Sequence, residues 1–248
     1  MERRVQRYAV VVYGVVAYLA FLASMGYAIG FVGGVVVPKT VGGGTTTAVG
    51  TAVVVNLGLL ALFGLQHSLM ARPSVKRLLT RVVPEAAERS TFVLSSAVAL
   101  GVLYWGWQPL DGVVWSVTQP VAAAVLWGVF AIGWLVALVA TFQIDHATFF
   151  GLAQVLAEAR GEDPPQLPFQ TPGLYRYVRH PMMTGLLVGF WVTPRMTVGH
   201  LLFAAGATGY IVLGVWLEER ALVDAFGAEY ERYREDVPMV LPYRGRRR

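Results

Sequence analysis

The chain has 248 residues, of which 56% are apolar and 14% are charged, and its formal net charge is +5. A soluble domain carries about 25% charged residues, so this composition and its long apolar runs indicate an integral membrane protein. The sequence contains no cysteine, which excludes disulfides, thiolate metal sites and a cysteine nucleophile. The positive charge is explained by the positive-inside rule, and no RNA- or DNA-binding motif in the sequence argues for a nucleic-acid partner.

Six apolar segments predict an all-α, integral membrane helical bundle. They cover residues of about 8–32, 48–71, 90–107, 120–143, 181–194 and 198–217. The first run is too long for the apolar part of a signal peptide, so we expect it to be a retained helix. The fifth segment has 14 residues and reaches about 21 Å as a helix, less than the roughly 30 Å of a bilayer core. The last two segments are therefore predicted to form a hairpin whose turn is Pro194–Val198.

The distribution of basic residues predicts that both termini are cytoplasmic. With this orientation, 18 of the 20 Lys and Arg residues lie on the inner side, and only Lys39 and Arg195 lie outside. This bias predicts a multi-pass protein of the inner, cytoplasmic membrane. The basic inner loop at 72–89 is expected to contact lipid headgroups, so membrane lipids are expected partners, while the sequence indicates no protein partner.

The polar residues divide the chain into two regions of one structural domain. Residues 1–143 are predicted to hold the N-terminal transmembrane helices. Residues 144–248 are predicted to be the catalytic region, with a cytoplasmic loop, the helical hairpin and a C-terminal cytoplasmic amphipathic helix.

A dense polar cluster lies at residues 175–185, which read YRYVRHPMMTG. Pro181 suits the first turn of a helix, which places His180 near the N-cap. Free backbone N–H groups, the positive helix end and Arg179 then predict an anion site at the membrane surface. Gly185, one turn later, permits close approach of another backbone or a ligand. The alternative is a basic anchor for lipid phosphates.

A second cluster follows the last apolar segment. Glu218 and Glu219 come directly after that segment, where carboxylates are costly unless they are paired or bound to a cation. Steps of seven, four and three place four residues on one helical face: Glu219, Phe226, Tyr230 and Tyr233. Gly227 is a point at which this helix could end. The alternative is an amphipathic tail helix that lies on the bilayer.

The predicted hairpin brings His180 and the acid pair Glu218 and Glu219 to the same membrane face. An anion site beside two carboxylates would match a zwitterionic cofactor that carries a second positive centre. Asp145 and His146, which leave the fourth segment on the same side, could act as acid and base or line a substrate. A capped helix end with an interfacial histidine explains that pair equally well. The scattered histidines lack the spacing of a metal site, so no metal is predicted.

The paired pattern RHPxxxG and EExxLxxxFGxxYxxYxxxVPxxLP, over about 173–242, resembles the isoprenylcysteine carboxyl methyltransferase and phospholipid methyltransferase superfamily. Longer stretches look like the bacterial methanethiol S-methyltransferases over roughly 60–242, among them QHSLMARPSVKRLLTRVVPEAAERSTFVL, ATFQIDHATFFGLAQV and GHLLFAAGATGYIVLGVWLEERALVDAFG. The resemblance implies a membrane enzyme that uses S-adenosyl-L-methionine to methylate a small volatile thiol, methanethiol, to dimethyl sulfide.

Matching positions carry the implied site residues. The cofactor-binding candidates are Tyr175, Tyr177, Arg179, His180, Pro181, Gly185, Glu218, Glu219, Tyr230 and Tyr233. The catalytic candidates are His180, His146 and Asp145, with the two histidines as possible bases for the thiol because imidazole titrates near neutrality.

Two positions depart from the superfamily pattern. Met183 stands where the pattern often has Tyr. Asp236 stands where prenylcysteine enzymes carry Arg, and a carboxylate there would repel a carboxylate acceptor. The alternatives are a methyltransferase of isoprenylcysteine or lipid acceptors, and a membrane reductase that uses NADPH. A transporter is disfavoured because few charged residues lie inside the segments.

Overall fold

A computed structural model describes residues 2–44, 47–165 and 168–242, with side chains from Gln6 onward. The chain divides into two compact units, Met1–Pro109 with Asp145–Leu167, and Leu110–Ile144 with Pro168–Arg248.

Helices are the regular secondary structure of the first unit in its described part. Its α-helices are α1 (Glu2–Gly33), α2 (Val49–Met70), α3 (Pro73–Leu79), α4 (Glu88–Gly106), α6 (His146–Phe149) and α7 (Leu152–Arg160). A short 3₁₀ turn, Glu85–Ala87, precedes α4. Its core joins α1, the 3₁₀ turn and α7 through Val10, Ala87 and Val155. A second apolar cluster forms around Phe92, Val93 and Phe150.

The second unit holds the remaining elements. They are β1 (Val113–Ser116), α5 (Pro120–Ile144), a 3₁₀ turn (Gly173–Arg176), α8 (Pro181–Trp191), β2 (Arg195–Thr197), α9 (Val198–Phe226) and α10 (Ala228–Asp236). Helix α8 packs along α5, and α8 and α9 form a hairpin joined through β2. The predicted hairpin is therefore confirmed.

Small residues let α5 and α8 approach closely. A side chain added at Gly185 of α8 would run into backbone atoms of Gly133 and Ala137 in α5. Gly189, one turn later, faces the ring of Trp134 in the same way. Because both helix backbones meet at these positions, Gly185 is required for helix packing.

The predicted turn at Pro194–Val198 is instead part of a small antiparallel sheet. Met196 pairs with Trp115, and Arg195 pairs with Ser116. The indole nitrogen of Trp115 donates to the carbonyl of Thr193 at 3.0 Å. The segment satisfies its backbone groups by pairing with a distant loop, which no local pattern in the sequence indicates.

Among the described residues, five helices are long and apolar enough to cross a membrane. They are Gln6–Gly33 of α1, Val49–Met70, Glu85–Gly106, Pro120–Ile144 and Val198–Phe226. Helix α8 has 11 residues and is about 16 Å long, so it is too short to span the roughly 30 Å core. The protein is a multi-pass, all-α membrane bundle, as the sequence predicts.

Candidate active site

The N-terminus of α8 is built as the sequence predicts. His180 occupies the N-cap position, and buried Pro181 occupies the first helical turn. Since the first N–H groups of a helix lack intrahelical acceptors, the amides of Met182 and Met183 lie at the positive end of α8. That end favours an anionic group.

The acid pair of α9 meets this helix end. Oε1 of Glu219 accepts a hydrogen bond from Nε of Arg179 at 2.6 Å and forms an ion pair with its Nη2, also at 2.6 Å. Nε2 of His180 lies 3.3 Å from the same oxygen, and its Nδ1 lies 3.6 Å from Oε2 of Glu218. Two motifs that are about 40 residues apart in the chain therefore converge within the second unit.

The two acids differ in how exposed their side chains are. The side chain of Glu219 is 12% exposed and that of Glu218 is 53% exposed. Arg179 and His180 are buried beside Glu219, with 10% and 7% exposure. Glu219 is thus held in place by contacts with Arg179 and His180, whereas the more exposed Glu218 can reach a ligand from solvent.

Arg179 is fully engaged inside the protein. Its Nη1 donates to the carbonyl of Arg234 at 3.0 Å and to that of Val237, while its other two nitrogens contact Glu219. All three nitrogens therefore have protein acceptors. Arg179 orients Glu219 and the end of α10, rather than presenting a free guanidinium to a ligand.

Residues 237–240, which we call the C-terminal strap, lie along the start of α8. The amide of Arg179 donates to the carbonyl of Pro238 at 2.9 Å, and the amide of His180 donates to that of Met239 at 3.0 Å. Oγ1 of Thr184 donates to the carbonyl of Val240 at 2.7 Å. The strap therefore fixes the backbone that carries Arg179 and His180.

An aromatic cluster lies beside the acids. The rings of Tyr230 and Tyr233 on α10 each pack on Phe169, with centroids 5.8 and 5.5 Å away, and Phe226 completes the cluster. The Tyr233 hydroxyl donates to the carbonyl of Tyr175 at 2.6 Å. Burial raises the pKa of the Tyr233 hydroxyl, so it remains a donor at neutral pH.

The hydroxyl of Tyr230 is the unsatisfied polar group of this region. Tyr230 is 1% exposed, and its hydroxyl makes no hydrogen bond to another described residue. Burial, followed by the nearby Glu219 carboxylate, raises the pKa of Tyr230 to about 12. The Arg179 guanidinium lies near this hydroxyl and acts on its pKa in the opposite direction, although the distance and angle between the two groups fall outside those of a hydrogen bond. A buried hydroxyl without a partner is costly, and a ligand atom could satisfy it.

The other two tyrosine candidates, Tyr175 and Tyr177, differ from Tyr230 in their hydrogen bonding and exposure. The Tyr175 hydroxyl donates to the carbonyl of Ala140 at 3.4 Å. Burial and, secondarily, the Glu218 carboxylate raise the pKa of Tyr175 to about 12. Tyr177 is 68% exposed, so it does not share the enclosed environment of the cluster. Its part in cofactor binding stays a prediction.

Asp145 and His146 belong to the first unit. Asp145 has a positive φ of 119° and caps α6, with Thr148 donating to its carboxylate from N at 3.2 Å and from Oγ1 at 2.7 Å. The bond from the Thr148 hydroxyl lowers the pKa of Asp145. His146 is buried, and its Nε2 lies 2.8 Å from the Tyr18 hydroxyl.

Burial lowers the pKa of His146, with the Asp145 carboxylate acting in the opposite direction. A neutral His146 can accept a proton, whereas the ionised Asp145 is occupied as a helix cap.

Phe169 and Thr184 are site residues that the sequence analysis did not select. Phe169 lies in the proline-rich stretch DPPQLPFQTP, where no periodicity indicates what its ring will contact. Thr184 lies within the polar motif, but its role depends on the position of the strap. The only sequence signal for the strap is the VPxxLP end of the tail motif, which covers residues 237–242.

The chain is similar in sequence to known proteins over most of its length. The family model described as NnrU protein matches residues 55–241. A methanethiol S-methyltransferase of Mycobacterium tuberculosis is 51% identical, over 96% of this chain and 98% of its own length. The chain belongs to the methanethiol S-methyltransferase family.

Two further relatives come from Bradyrhizobium diazoefficiens. Methanethiol S-methyltransferase 2 is 48% identical, over 95% of this chain and 91% of its own length. Methanethiol S-methyltransferase 1 is 46% identical, over 97% and 85%. No solved structure matches this chain. In this family member, the matched region includes the α8 motif, the acid pair and the strap.

Proposed function

We propose that this protein is a membrane methyltransferase that moves a methyl group from S-adenosylmethionine to methanethiol and releases dimethyl sulfide. The observation that carries the proposal is the contact of Glu219 with Arg179 and His180, since it joins the two motifs into one site. The names of relatives that align along nearly the whole chain support methanethiol as the acceptor.

The residues at the site fit the proposed cofactor. Its ammonium group needs carboxylates, which Glu218 and Glu219 supply. Its carboxylate needs donors, which the first-turn amides of α8 supply. The unpartnered Tyr230 hydroxyl could complete the set. Arg179, whose nitrogens are engaged within the protein, would act by holding Glu219 in place.

When bound, S-adenosylmethionine supplies a methyl carbon on a sulfonium sulfur, which is an electrophile for a thiolate. With this donor bound, the residues of this chain would hold the thiol sulfur beside the methyl carbon, and a base of the chain would take the thiol proton as the methyl group passes from the sulfonium to the thiol sulfur. Glu218 and Glu219 add negative potential that favours the positive donor in the site. Positioning of the two reactants and exclusion of water would supply most of the acceleration.

A base is needed because a thiol pKa of roughly 8.5 leaves little thiolate at neutral pH. His180 and His146 are our candidates, and Asp145 is the weakest because Thr148 already engages its carboxylate. Both ring nitrogens of His180 face carboxylates, so this ring can also act by orienting Glu219. His146 is kept neutral by burial, which suits a proton acceptor.

The acceptor is proposed to be a neutral small thiol. Asp236 is exposed at the end of α10 and directly precedes the strap. A carboxylate at this position would repel an acceptor that carries its own carboxylate, as a prenylated cysteine does. Met183, in the first turn of α8, supplies no hydroxyl at a position where the superfamily often has Tyr.

The protein is proposed to lie in the inner membrane with both termini in the cytoplasm. The division of 18 basic residues to 2 between the two faces supports this orientation. The polar cofactor would then enter from the cytoplasm. An apolar thiol and the uncharged sulfide could reach and leave the protein through the lipid.

The test is a transfer assay with purified protein, S-adenosylmethionine labelled in its methyl group, and a panel of acceptors. The panel contains methanethiol, larger thiols, an isoprenylcysteine and a phospholipid, and headspace analysis detects volatile sulfides. We expect labelled dimethyl sulfide from methanethiol. Transfer to isoprenylcysteine but not to methanethiol would reject the acceptor, and no binding of S-adenosylmethionine would reject the cofactor.

A further inference from the structure

A basic and apolar surface joins α2 to α4 in the first unit. Residues 71–84 contain four cations and no acid. The cations are Arg72, Lys76, Arg77 and Arg81. The same surface exposes apolar side chains, since Leu78 is 61% and Val82 is 83% exposed. We call residues 71–84 the basic connector.

The basic connector lies at the end of two membrane-spanning helices. Helix α2 ends at Met70, and the span that contains α4 begins at Glu85. Of the four cations, Lys76 pairs with Glu88 at 3.8 Å, while Arg72, Arg77 and Arg81 are exposed. Cations and apolar side chains that are exposed together at a membrane end suit a surface of anionic lipid.

A groove begins beside the connector and runs along the same two helices. It has a volume of about 480 Å³ and is bounded by α1, α2 and α4. Its walls are mainly apolar and include Leu62, Leu94, Val98 and Val102. Its lining also includes two polar contacts, in which the Tyr13 hydroxyl donates to Thr91 at 3.0 Å and Gln66 donates to Ser95 at 3.0 Å.

The position of the groove follows from helix geometry. Gln66 lies one turn before the end of α2, and Thr91 lies in the first turn of α4. The groove therefore starts within about 6 Å of the helix ends that the connector joins. From Thr91 to Val102 it follows α4 for about 16 Å, close to half of the roughly 30 Å hydrocarbon core.

We propose that the basic connector and the groove together bind one anionic phospholipid. Its phosphate lies on Arg72, Arg77 and Arg81, and one acyl chain lies in the groove between α2 and α4. The reasons for this occupant are charge complementarity, the length of one leaflet, and the continuity of the groove with membrane-spanning helices. This site shares no residue with the proposed methyl-transfer site, and its test does not depend on that function.

The headgroup is tested by native mass spectrometry of purified protein titrated with phosphatidylglycerol or with phosphatidylcholine of the same chains. We expect the protein to hold phosphatidylglycerol at least tenfold more tightly. The triple variant R72Q/R77Q/R81Q should lose this preference, and R72K/R77K/R81K should keep it. The control R160Q/R195Q/R232Q removes the same charge elsewhere and should bind as the unmodified protein does. Equal affinity for both lipids in the unmodified protein would overturn the headgroup assignment.

The groove is tested with V98W, which places a large ring in it from an exposed position. We expect at least tenfold weaker binding of both lipids. The control V54W adds the same ring to α2, at a position 71% exposed that does not line the groove. If V98W binds lipid as V54W does, the acyl chain does not lie there. If V98W instead changes the oligomeric state without changing lipid binding, a second copy occupies the groove and the proposal is wrong.

Discussion

Arg179 and Glu219 form a buried ion pair in which Nε and Nη2 of the guanidinium each lie 2.6 Å from a single carboxylate oxygen. His180 lies 3.3 Å from the same oxygen. These contacts are all made to Oε1 of Glu219, so a ligand could contact its second oxygen, Oε2. The pair therefore links a structural function, the anchoring of α9 to the start of α8, to a proposed binding function.

Glu219→Ala is expected to weaken S-adenosylmethionine binding at least tenfold, which corresponds to about 1.4 kcal/mol. It removes a proposed partner of the ammonium group and leaves Nε and Nη2 of Arg179 without the carboxylate that they contact. Isothermal titration calorimetry of purified protein measures the affinity. The control is Glu229→Ala, which removes an exposed carboxylate at the start of α10. An affinity equal to that of the control would remove Glu219 from the site.

Tyr230→Phe and Tyr233→Phe are a matched pair with opposite expectations. The Tyr233→Phe variant loses the hydrogen bond to the carbonyl of Tyr175, so its free energy of unfolding should fall by about 1 kcal/mol. The Tyr230 hydroxyl has no hydrogen-bond partner within the described residues, so the Tyr230→Phe variant should be as stable to heat as the unmodified protein, or more stable. Because the Tyr230 hydroxyl is proposed to bind the cofactor, the same Tyr230→Phe variant should bind the cofactor several-fold more weakly.

Thermal unfolding and calorimetry on the same two preparations separate these effects. A Tyr230→Phe protein that is less stable, and that binds the cofactor normally, would contradict the assignment. It would show that the hydroxyl has a structural partner.

Much of this site could be predicted from the sequence, because its key residues stand at helix ends. Pro181 marks the start of α8 and Gly227 marks the end of α9, where it adopts a positive φ of 55°. The hairpin then brings His180 to the acids. The distances confirm this convergence, while the chemical roles of the residues stay predictions.

Other features depend on contacts between distant segments that leave no local pattern. Arg195–Thr197 resembles a turn in the sequence, yet it pairs with Val113–Ser116. Phe169 stands among prolines, and its packing on Tyr230 and Tyr233 follows only from the position of α10. Arg179 resembles an anion-binding residue, but its nitrogens are taken by Glu219 and two backbone carbonyls. Neither the spacing nor the composition of the sequence contains that information.

The stability of the protein should fall on acidification partly because of His146. Burial lowers the pKa of this imidazole in the folded state. In the unfolded chain the imidazole has its usual pKa of about 6.5, so below this pH the unfolded chain binds more protons than the folded protein does. Stability is therefore full above that value and is lost as the pH falls towards the folded pKa.

His146→Gln should show a smaller difference in melting temperature between pH 7.5 and pH 5.5 than the unmodified protein does. Tyr18→Phe, which keeps the imidazole and removes its partner at 2.8 Å, serves as the control and should retain the larger difference. An identical pH dependence in His146→Gln would mean that His146 is not held neutral. If His146 is also the base for the thiol, His146→Gln alone of the two should lower kcat at pH 7.5 at least tenfold.

Gly185→Ala should destabilise the protein by about 2 kcal/mol or more, because the added carbon meets backbone atoms of Gly133 and Ala137. Gly209→Ala on α9 is the matched control, since a side chain there meets nothing within 4 Å and alanine favours a helix by up to about 1 kcal/mol. Thermal unfolding in one detergent compares the two. Equal stability of the two variants would show that α5 and α8 do not approach as closely as described. A weaker cofactor affinity in a stable Gly185→Ala protein would then place Gly185 against the ligand, which is the other reason for a glycine one turn into this helix.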